Sequence, residues 1–200
     1  MGHKFAELAF TGAVKQVQQE QGSRKAYARM DEGEDSNYRL GEAEAEFITQ
    51  RDSFYMASVS ETDWPYLQHR GGPKGFLRIL DEQTLGFADF RGNRQYVSMG
   101  NFQNNDRVSL FFMDYPNRRR LKLLGRVRLV EEQETDLLAR LAMPEYRAHV
   151  ERGFVITVEA YDWNCPQHIT PRYSESEVEA LVAPLLAEIT DLKQLIQSIG

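Results

Sequence analysis

Cysteine is nearly absent from this sequence, since Cys165 stands alone among 200 residues. A lone cysteine cannot form a disulfide within its own chain, which excludes the disulfide-stapled class of small secreted domains. Long apolar runs are missing too, because no stretch reaches the roughly 18 apolar residues that a membrane helix needs. Residues 1–14 carry no signal-peptide pattern. These absences predict a protein of the cytoplasm that does not cross a membrane.

Two common nucleotide-binding signatures are also missing. No Gly-x-Gly-x-x-Gly run follows a predicted strand, and no Gly-Lys-Ser/Thr phosphate loop occurs. A nucleotide bound by this protein would therefore need arginine side chains and loop amides to hold its phosphate.

Charge is distributed unevenly along the chain. The net charge of −6 argues against broad, non-specific binding of nucleic acid. Residues 65–130 nevertheless contain twelve basic and five acidic side chains, so this segment carries +7 and the rest of the chain −13. A basic middle in an acidic protein indicates a local anionic ligand such as a phosphate. Solvated basic strand edges and loops are the alternative interpretation.

The hydrophobic pattern predicts a mainly β protein. Short runs of aromatic and β-branched residues between turn signals predict strands at 54–60, 65–70, 76–80, 84–89, 108–114, 121–130 and 153–161. Helices, with their connections, are expected over 1–22, 42–51, 93–105, 137–150 and 174–199. Residues 23–40 are predicted to be a loop. Six or seven short strands with few long helices favour an antiparallel Greek-key barrel over a parallel sheet.

The clearest predicted helix is the last one. Ser174 and Glu177 have the spacing of a capping box. Apolar residues then recur every three or four positions, at Val178, Leu181, Leu185, Ile189, Leu192 and Ile196. Pro184 lies within this run and is expected to kink the helix or split it in two. The apolar stripe needs a partner surface, either in its own barrel or in a second subunit.

Four segments carry a resemblance to a known family. They are Asp52–Arg70 with the following Gly71-Gly72-Pro73, Phe87–Tyr96, Leu121–Arg126 and Trp163–Ile169. In this order they resemble a predicted flavin-nucleotide-binding family that is related in structure to pyridoxamine 5′-phosphate oxidase. The resemblance implies a six-to-seven-stranded split β-barrel that binds flavin mononucleotide (FMN) at the interface of a homodimer. We therefore expect an N-terminal helical and loop extension over 1–41, the barrel domain over 42–173 and a C-terminal helix over 174–200.

The resemblance implies that one strand end carries FMN ligands. Gln68, His69 and Arg70 end a strand that, in the resembled fold, brings a basic residue to the FMN phosphate and exposes backbone to the isoalloxazine ring. Arg70 could contact a phosphate through two hydrogen bonds. Because Gln68 and Arg70 are two residues apart, they share one face of the strand, and an ordinary polar strand face is the alternative.

Arg91-Gly92-Asn93-Arg94 is the second phosphate candidate. These residues lie where a strand turns towards a predicted helix; Gly92 permits a tight turn, and a helix N-terminus favours an anion. Asn93 or Arg94 matches the position where the oxidases place a basic phosphate ligand, and Asp89 is expected to bond the ring or the ribityl chain. A capping asparagine in an ordinary strand–helix turn is the alternative.

Four further residues complete the expected FMN site. Arg120 and Lys122 share one strand face, and one of them occupies the place of a flavin-contacting glutamine in the oxidases. A cation there would stabilise reduced, anionic flavin, whereas a solvated basic edge is the alternative. Gln167 and His168 belong to a segment that is expected to close over the flavin from the partner subunit.

A metal site is not predicted. Cys165 and His168 have the Cys-x-x-His spacing of a metal-binding pair, but zinc needs two more ligands at suitable spacing. His69 and His149 are the other internal histidines. We expect Cys165 to be a small buried apolar residue instead.

The departures from the oxidases bear on activity. Their Arg-x-x-Leu-Leu-Lys strand is replaced here by Gln68–Pro73, and their C-terminal Arg-Leu-His-Asp-Arg segment is absent, so oxidation of vitamin B6 is not expected. We predict an FMN-dependent oxidoreductase that transfers hydride between the flavin and a small molecule, with NADH or NADPH as a possible electron donor. His69 and His168 are acid–base candidates by residue type alone, so catalytic residues stay unassigned. A non-catalytic FMN store or sensor, and a barrel that binds haem or a deazaflavin, are the alternatives.

Overall fold

A computed structural model describes residues 2–163 and 165–199 of the chain. Its strands are β1 (Ser53–Val59), β2 (Pro65–Gly71), β3 (Arg78–Asp81), β4 (Thr84–Phe90), β5 (Arg107–Asp114), β6 (Arg119–Val130) and β7 (Val150–Trp163). Its helices are α1 (Lys4–Ala9), α2 (Gly12–Glu20), α3 (Arg24–Ala28), α4 (Glu42–Thr49), α5 (Val97–Phe102), α6 (Thr135–Leu141) and α7 (Glu175–Ile199), with a short 3₁₀ helix at Arg29–Asp31. The chain divides into a first unit, Met1–Met113 with Arg120–Cys165, and a second unit, Asp114–Arg119 with Pro166–Gly200.

The strands form one sheet in the order β2-β1-β5-β6-β7-β4-β3. The pairs β1–β2, β1–β5, β3–β4, β4–β7 and β6–β7 are antiparallel. The sheet curls round on itself, because Phe54 on β1 packs against Phe87 on β4 with ring centroids 5.4 Å apart, although these strands are far apart in the sheet order. The predicted fold class, a mainly β antiparallel split barrel with flanking helices, is confirmed.

Strand alternation builds the core of the barrel. Along β5 every second residue is buried, beginning at Val108, as expected where only one face of a strand is covered. The inward strand faces bring together the fully buried rings of Phe54, Phe87, Phe112 and Phe154, and Phe76, from the segment before β3, adds a fifth. These rings fill the barrel and hold strands from both sides of the sheet together.

The N-terminal segment differs from the sequence prediction. The single helix expected over 1–22 is two helices, because the hydroxyl of Thr11 accepts a hydrogen bond from the backbone N–H of Val14 (3.4 Å) and so begins α2. The loop predicted for 23–40 was also wrong in part. Its residues 24–28, which are arginine, lysine, alanine and tyrosine, form α3, in keeping with the helix preference of most of them.

The helix predicted over 137–150 was wrong beyond its first turns. Helix α6 ends at Leu141, and Ala142 is already extended, with φ −62° and ψ 149°. Pro144 follows, and a proline disfavours helical backbone in the residue before it. The chain then enters β7 at Val150.

In the second unit, α7 begins at the predicted capping box. The backbone N–H of Ser174 donates to Glu177 Oε2 (2.7 Å), and the N–H of Glu177 donates to Ser174 Oγ (3.3 Å). Of the two outcomes predicted at Pro184, the split does not occur, since α7 is one helix of 25 residues, and the kink stays a prediction. The surface around Pro184 is exposed, so water can bond the carbonyl that lacks its helical partner. Of the helices in the described ranges, none is both long and apolar enough to span a bilayer.

Candidate functional site

A cleft in the first unit gathers residues from β2, β4, the loop that follows β4, and α5. Its empty volume is about 430 Å³, a figure that includes the part open to solvent. Six of the twelve predicted FMN-binding residues line it: Gln68, Arg70, Asp89, Gly92, Asn93 and Arg94. The curled sheet brings these residues together although they come from two separate stretches of chain.

Strand alternation decides which residues of β2 reach the cleft. Tyr66, Gln68 and Arg70 lie two residues apart and share the face that lines it. His69 lies on the opposite face, where its ring centroid is 5.7 Å from that of Tyr55. The structure therefore does not bring His69 to the cleft of its own chain.

A buried ion pair lies in the wall of the cleft. Arg70 Nη1 donates to Asp89 Oδ1 at 2.5 Å, and the two side chains are only 13% and 8% exposed. Arg152 Nε lies 3.5 Å from Asp89 Oδ2. Burial raises the pKa of Asp89 above its ordinary value, although the charges of Arg70 and Arg152 act in the opposite direction. Arg70 Nε is buried without a hydrogen-bond partner, so an acceptor on a ligand would satisfy it.

A second carboxylate organises the neighbouring arginines. Glu151 accepts hydrogen bonds from Arg91 Nε (3.0 Å), Tyr96 Oη (3.1 Å) and Arg152 Nη2 (3.0 Å). Desolvation raises the pKa of Glu151, but the hydrogen bonds from Arg91 and Tyr96 and the charge of Arg152 outweigh it, so the pKa lies below its usual value. Arg91 is thereby held beside Glu151 and does not line the cleft, whereas Arg94 does and donates to Tyr96 Oη at 3.1 Å.

The balance of charge favours an anion. Four guanidinium groups and two carboxylates make up these two linked clusters: Arg70, Arg91, Arg94 and Arg152, with Asp89 and Glu151. Of these, Arg70, Arg94, Asp89 and Glu151 line the cleft and their charges balance. The two positive charges in excess belong to Arg91 and Arg152, which do not line the cleft but are bound to its carboxylates. A phosphate carries the matching charge and offers acceptors for guanidinium donors.

The loop after β4 is not the tight glycine turn that the sequence suggested. Gly92 has no positive φ, and a Cβ there would meet only open space. The left-handed residues are Arg94 (φ 60°) and Tyr96 (φ 53°), and such backbone in non-glycine residues often marks a functional site. The helix predicted from residue 93 begins only at Val97. Guanidinium groups, rather than a helix N-terminus, therefore supply the positive charge near Asn93.

Hydrogen bonds fix α5 against the barrel. Ser98 Oγ donates to Gln68 Oε1 (3.0 Å), and Asn101 Nδ2 donates to Ser58 Oγ (2.8 Å). Ser58, Ser98 and Asn101 are all buried. These bonds orient the Gln68 amide in the cleft, and they hold the loop between β4 and α5 in place where it enters α5.

The remaining predicted residues lie elsewhere. Lys122 Nζ is 3.0 Å from Asp162 Oδ2 and 4.3 Å from the ring centroid of Phe5, so it holds the N-terminal helix to the barrel. Arg120 does not line the cleft, and its Nε is buried without a hydrogen-bond partner. Gln167 and His168 belong to the second unit, where both are exposed.

The prediction that Cys165 is buried was wrong. Its side chain is exposed, because the residue follows the end of β7 in irregular backbone. Asn164, which belongs to the last resemblance segment, lies outside the described residues. Over residues 2–163 and 165–199, no three His, Cys, Asp or Glu side chains are grouped so that they could hold a metal ion.

Several residues at the cleft escaped the sequence analysis. Tyr66 could have been found, because it is two residues from Gln68 on a predicted strand. Glu151 and Arg152 carry no local signal. Glu151 lines the cleft, and Arg152 approaches Asp89 in its wall, because β7 pairs with β4 and sets Asp89 opposite Arg152.

Comparisons with known proteins agree with the barrel. The family model for pyridoxamine 5′-phosphate oxidase matches residues 40–167, whereas no curated protein matches. HupZ of Group A Streptococcus is 13% identical over 67% of this chain and 99% of its own chain, with a TM-score of 0.50. A variant of HupZ is also 13% identical, over 62% of this chain and 99% of its own chain, with a TM-score of 0.51. HutZ, a haem storage protein of Vibrio cholerae, is 14% identical over 62% and 94%, with a TM-score of 0.43. At such low identity the structural likeness concerns the fold alone.

Proposed function

Because the chain belongs to the pyridoxamine 5′-phosphate oxidase family, we propose that it binds FMN in the cleft and acts as an oxidoreductase on a small molecule. The observation that carries this proposal is the excess of two positive charges in the two linked side-chain clusters of the cleft wall, together with the buried Arg70 Nε, which has no hydrogen-bond partner. A dianionic phosphate would be held at such a site without a glycine-rich loop.

Each cleft residue has a distinct part in the proposed site. Arg70 and Arg94 would hold the phosphate, with Asn93 beside them. Asp89 already accepts from Arg70 and contacts Arg152, so we assign it the task of positioning Arg70 rather than bonding the ribityl chain. Gln68, oriented by Ser98, would offer its amide to the polar part of the ligand. When bound, FMN supplies a ring that exchanges a hydride at N5.

A homodimer with FMN at its interface is part of the proposal. The outer face of β1 and β2 leaves Tyr55, Leu67 and the neighbouring Trp64 exposed, at 36%, 62% and 75%, and an apolar patch of this kind suits a subunit contact. In such a dimer, Gln167, His168 and one of Arg120 and Lys122 would have their proposed flavin contacts from the partner subunit. The low cysteine content is consistent with the reducing cytoplasm, which we propose as its location.

A non-catalytic FMN-binding protein is the second candidate. One observation favours it: within the described part of the first unit, no histidine lines the cleft. The residues that line the cleft within one chain therefore include no imidazole to act as acid or base. Consumption of NADH or NADPH by the FMN-loaded protein in the presence of an electron acceptor would favour the oxidoreductase, and its absence would favour the binding protein.

The first test is the visible spectrum with an FMN titration. We expect two broad flavin bands and saturable binding. Arg94→Ala should weaken FMN binding by about 10- to 100-fold, because a charge-assisted contact to phosphate is lost. Arg107→Ala is the matched control, since Arg107 is an exposed arginine outside the cleft, and it should bind FMN as the parent does.

Other spectra would contradict the FMN assignment. A Soret band in the purified protein would point to haem, and preferential uptake of a deazaflavin would point to that cofactor. A colourless protein that does not bind added FMN would leave the family and the fold but remove the cofactor. Equal weakening by both arginine variants would show that overall charge, rather than the cleft, governs binding.

A further inference from the structure

Helix α7 presents an apolar stripe that no described residue of the second unit covers. Every residue from Val178 to Ser198 is exposed, and the large side chains of Leu185, Leu192 and Ile196 are 57%, 52% and 70% exposed. Helices gain most of their stability in proteins from packing an apolar face. A stripe of this length therefore indicates an interaction surface.

The stripe has the period of a coiled coil. Apolar residues alternate at spacings of four and three from Val178 onwards, which is a repeat of seven with a mean spacing of 3.5. In this register, from Val178 onwards, the a positions are Val182, Ile189 and Ile196, and the d positions are Val178, Leu185, Leu192 and Ile199. The a and d side chains together form the seam of a coiled coil, and each of them inserts between side chains of the matching helix.

The residue types at the seam indicate how many helices meet. From Val178 onwards all three a positions are β-branched, and two of the four d positions, Leu185 and Leu192, are leucine. β-Branched residues at a with leucine at d favour two parallel strands over three or four. The partner that fits this seam is therefore one more helix of the same pattern.

The flanking positions indicate the same partner and its direction. Glu188 lies at g and Lys193 at e, five residues later; Leu181 and Leu186 have the same relation. In a parallel, in-register pair, each g residue faces the e residue five positions on in the other helix, so Glu188 would meet Lys193 of the second copy. An antiparallel pair would instead set g against g and e against e, which matches no opposite charges here.

The charge of α7 argues against a membrane surface as its partner. The helix carries five acidic residues and one lysine, whereas helices that lie on anionic membranes are rich in lysine and arginine. Pro184 falls at a c position, on the face away from the seam, so its missing hydrogen bond lies outside the contact.

We propose that the α7 helices of two copies of this chain form a parallel, in-register, two-stranded coiled coil. The contact joins the copies independently of whether the barrel binds FMN. It gives the apolar stripe a specific partner, and it fixes a dimer through a part of the chain that lies outside the residues matched by the family model.

Site-directed cross-linking of the full-length chain tests this proposal. In a Cys165→Ser background, Ile196→Cys at the seam should form a disulfide-linked dimer in a glutathione redox buffer. Gln194→Cys, at an f position two residues earlier, is the matched control and should form it at least about tenfold more slowly, because outward cysteines are held apart. The measurement is the band ratio on a non-reducing gel. Equal rates at the two sites would overturn the proposal and would indicate random collision. No cross-link at either site would also overturn it and would indicate that α7 packs within its own chain.

Charge reversal tests the direction of the helices. Glu188→Lys and Lys193→Glu should each slow cross-linking through the cysteine introduced at Ile196, because like charges then face each other, and the double variant should restore the parental rate. Additive slowing in the double variant would exclude the parallel register. FMN spectra of the same variants should match the parent, which separates failure of this contact from failure of the flavin site.

Discussion

Replacement of Arg70 by alanine should lower the free energy of unfolding by about 3–5 kcal/mol, which is the usual cost of breaking a buried ion pair by removing one partner. The physical reason is the carboxylate that stays behind. Asp89 is 8% exposed and would keep only Arg152, whose Nε is 3.5 Å away. Urea unfolding at neutral pH measures the loss, and the variant should also lose FMN binding.

An exposed pair offers a matched control for this loss. Arg39 and Glu82 are joined at 2.8 Å, but their side chains are 54% and 57% exposed. Because solvent screens such pairs, Arg39→Ala should cost less than about 1 kcal/mol. A similar cost for Arg39→Ala and Arg70→Ala would contradict the view that burial of Asp89 sets the penalty.

A double variant separates the structural part of Arg70 from its proposed part in binding. Arg70→Ala combined with Asp89→Ala removes both charges, so it should recover most of the stability lost by Arg70→Ala alone. FMN affinity should stay low, because the proposed phosphate ligand is still missing. Recovery of FMN binding together with stability would show that Arg70 serves the fold and not the ligand.

Replacement of Phe54 by alanine should cost a similar amount, about 3–5 kcal/mol. Its ring is 1% exposed and lies between those of Phe76, Phe87 and Phe112, at centroid distances of 5.8, 5.4 and 5.4 Å. Truncation would leave a cavity where strands from both sides of the sheet meet. Urea unfolding is again the measurement, and the slope of the transition should stay unchanged if the barrel still unfolds as one unit.

The neighbouring residue provides the control for Phe54. Tyr55 is an aromatic residue on the same strand but is 36% exposed on the outer face. Tyr55→Ala should therefore destabilise the monomeric barrel far less than Phe54→Ala. If the two costs were equal, the ring cluster inside the barrel would not be its main source of stability.

Half of the proposed site could be predicted from local pattern. The alternation along β2 placed Gln68 and Arg70 on one face. The end of the predicted strand β4 gave Asp89, and the residues after it gave Arg91-Gly92-Asn93-Arg94. The same rule also gave reason to separate His69 from them, because adjacent side chains on a strand point to opposite faces. The resemblance placed His69 among the ligands by its position in the sequence, and a match by position does not show on which face of the strand a side chain lies.

The limits of local pattern are visible where elements end. Helix α6 stops before Pro144, and α5 starts four residues later than its polar sequence suggested. In both places short, weakly patterned segments were assigned from composition, and packing and backbone restrictions decided the outcome. The capping box at Ser174 was predicted correctly because it depends on residues only three positions apart.

The sequence by itself determined the class of fold, the position of most strands, the amphipathic C-terminal helix and the basic character of the middle of the chain. These properties follow from spacing, charge and residue type, which act over a few neighbouring positions. Only the tertiary structure decided that Asp89 is shared between Arg70 and Arg152, and that Glu151 gathers Arg91 and Tyr96 beside the cleft. Those contacts depend on the register between β4 and β7 and on the curl of the sheet, which join residues some 60 positions apart. No short-range pattern encodes such a register, because it is set by how the whole barrel closes over its core.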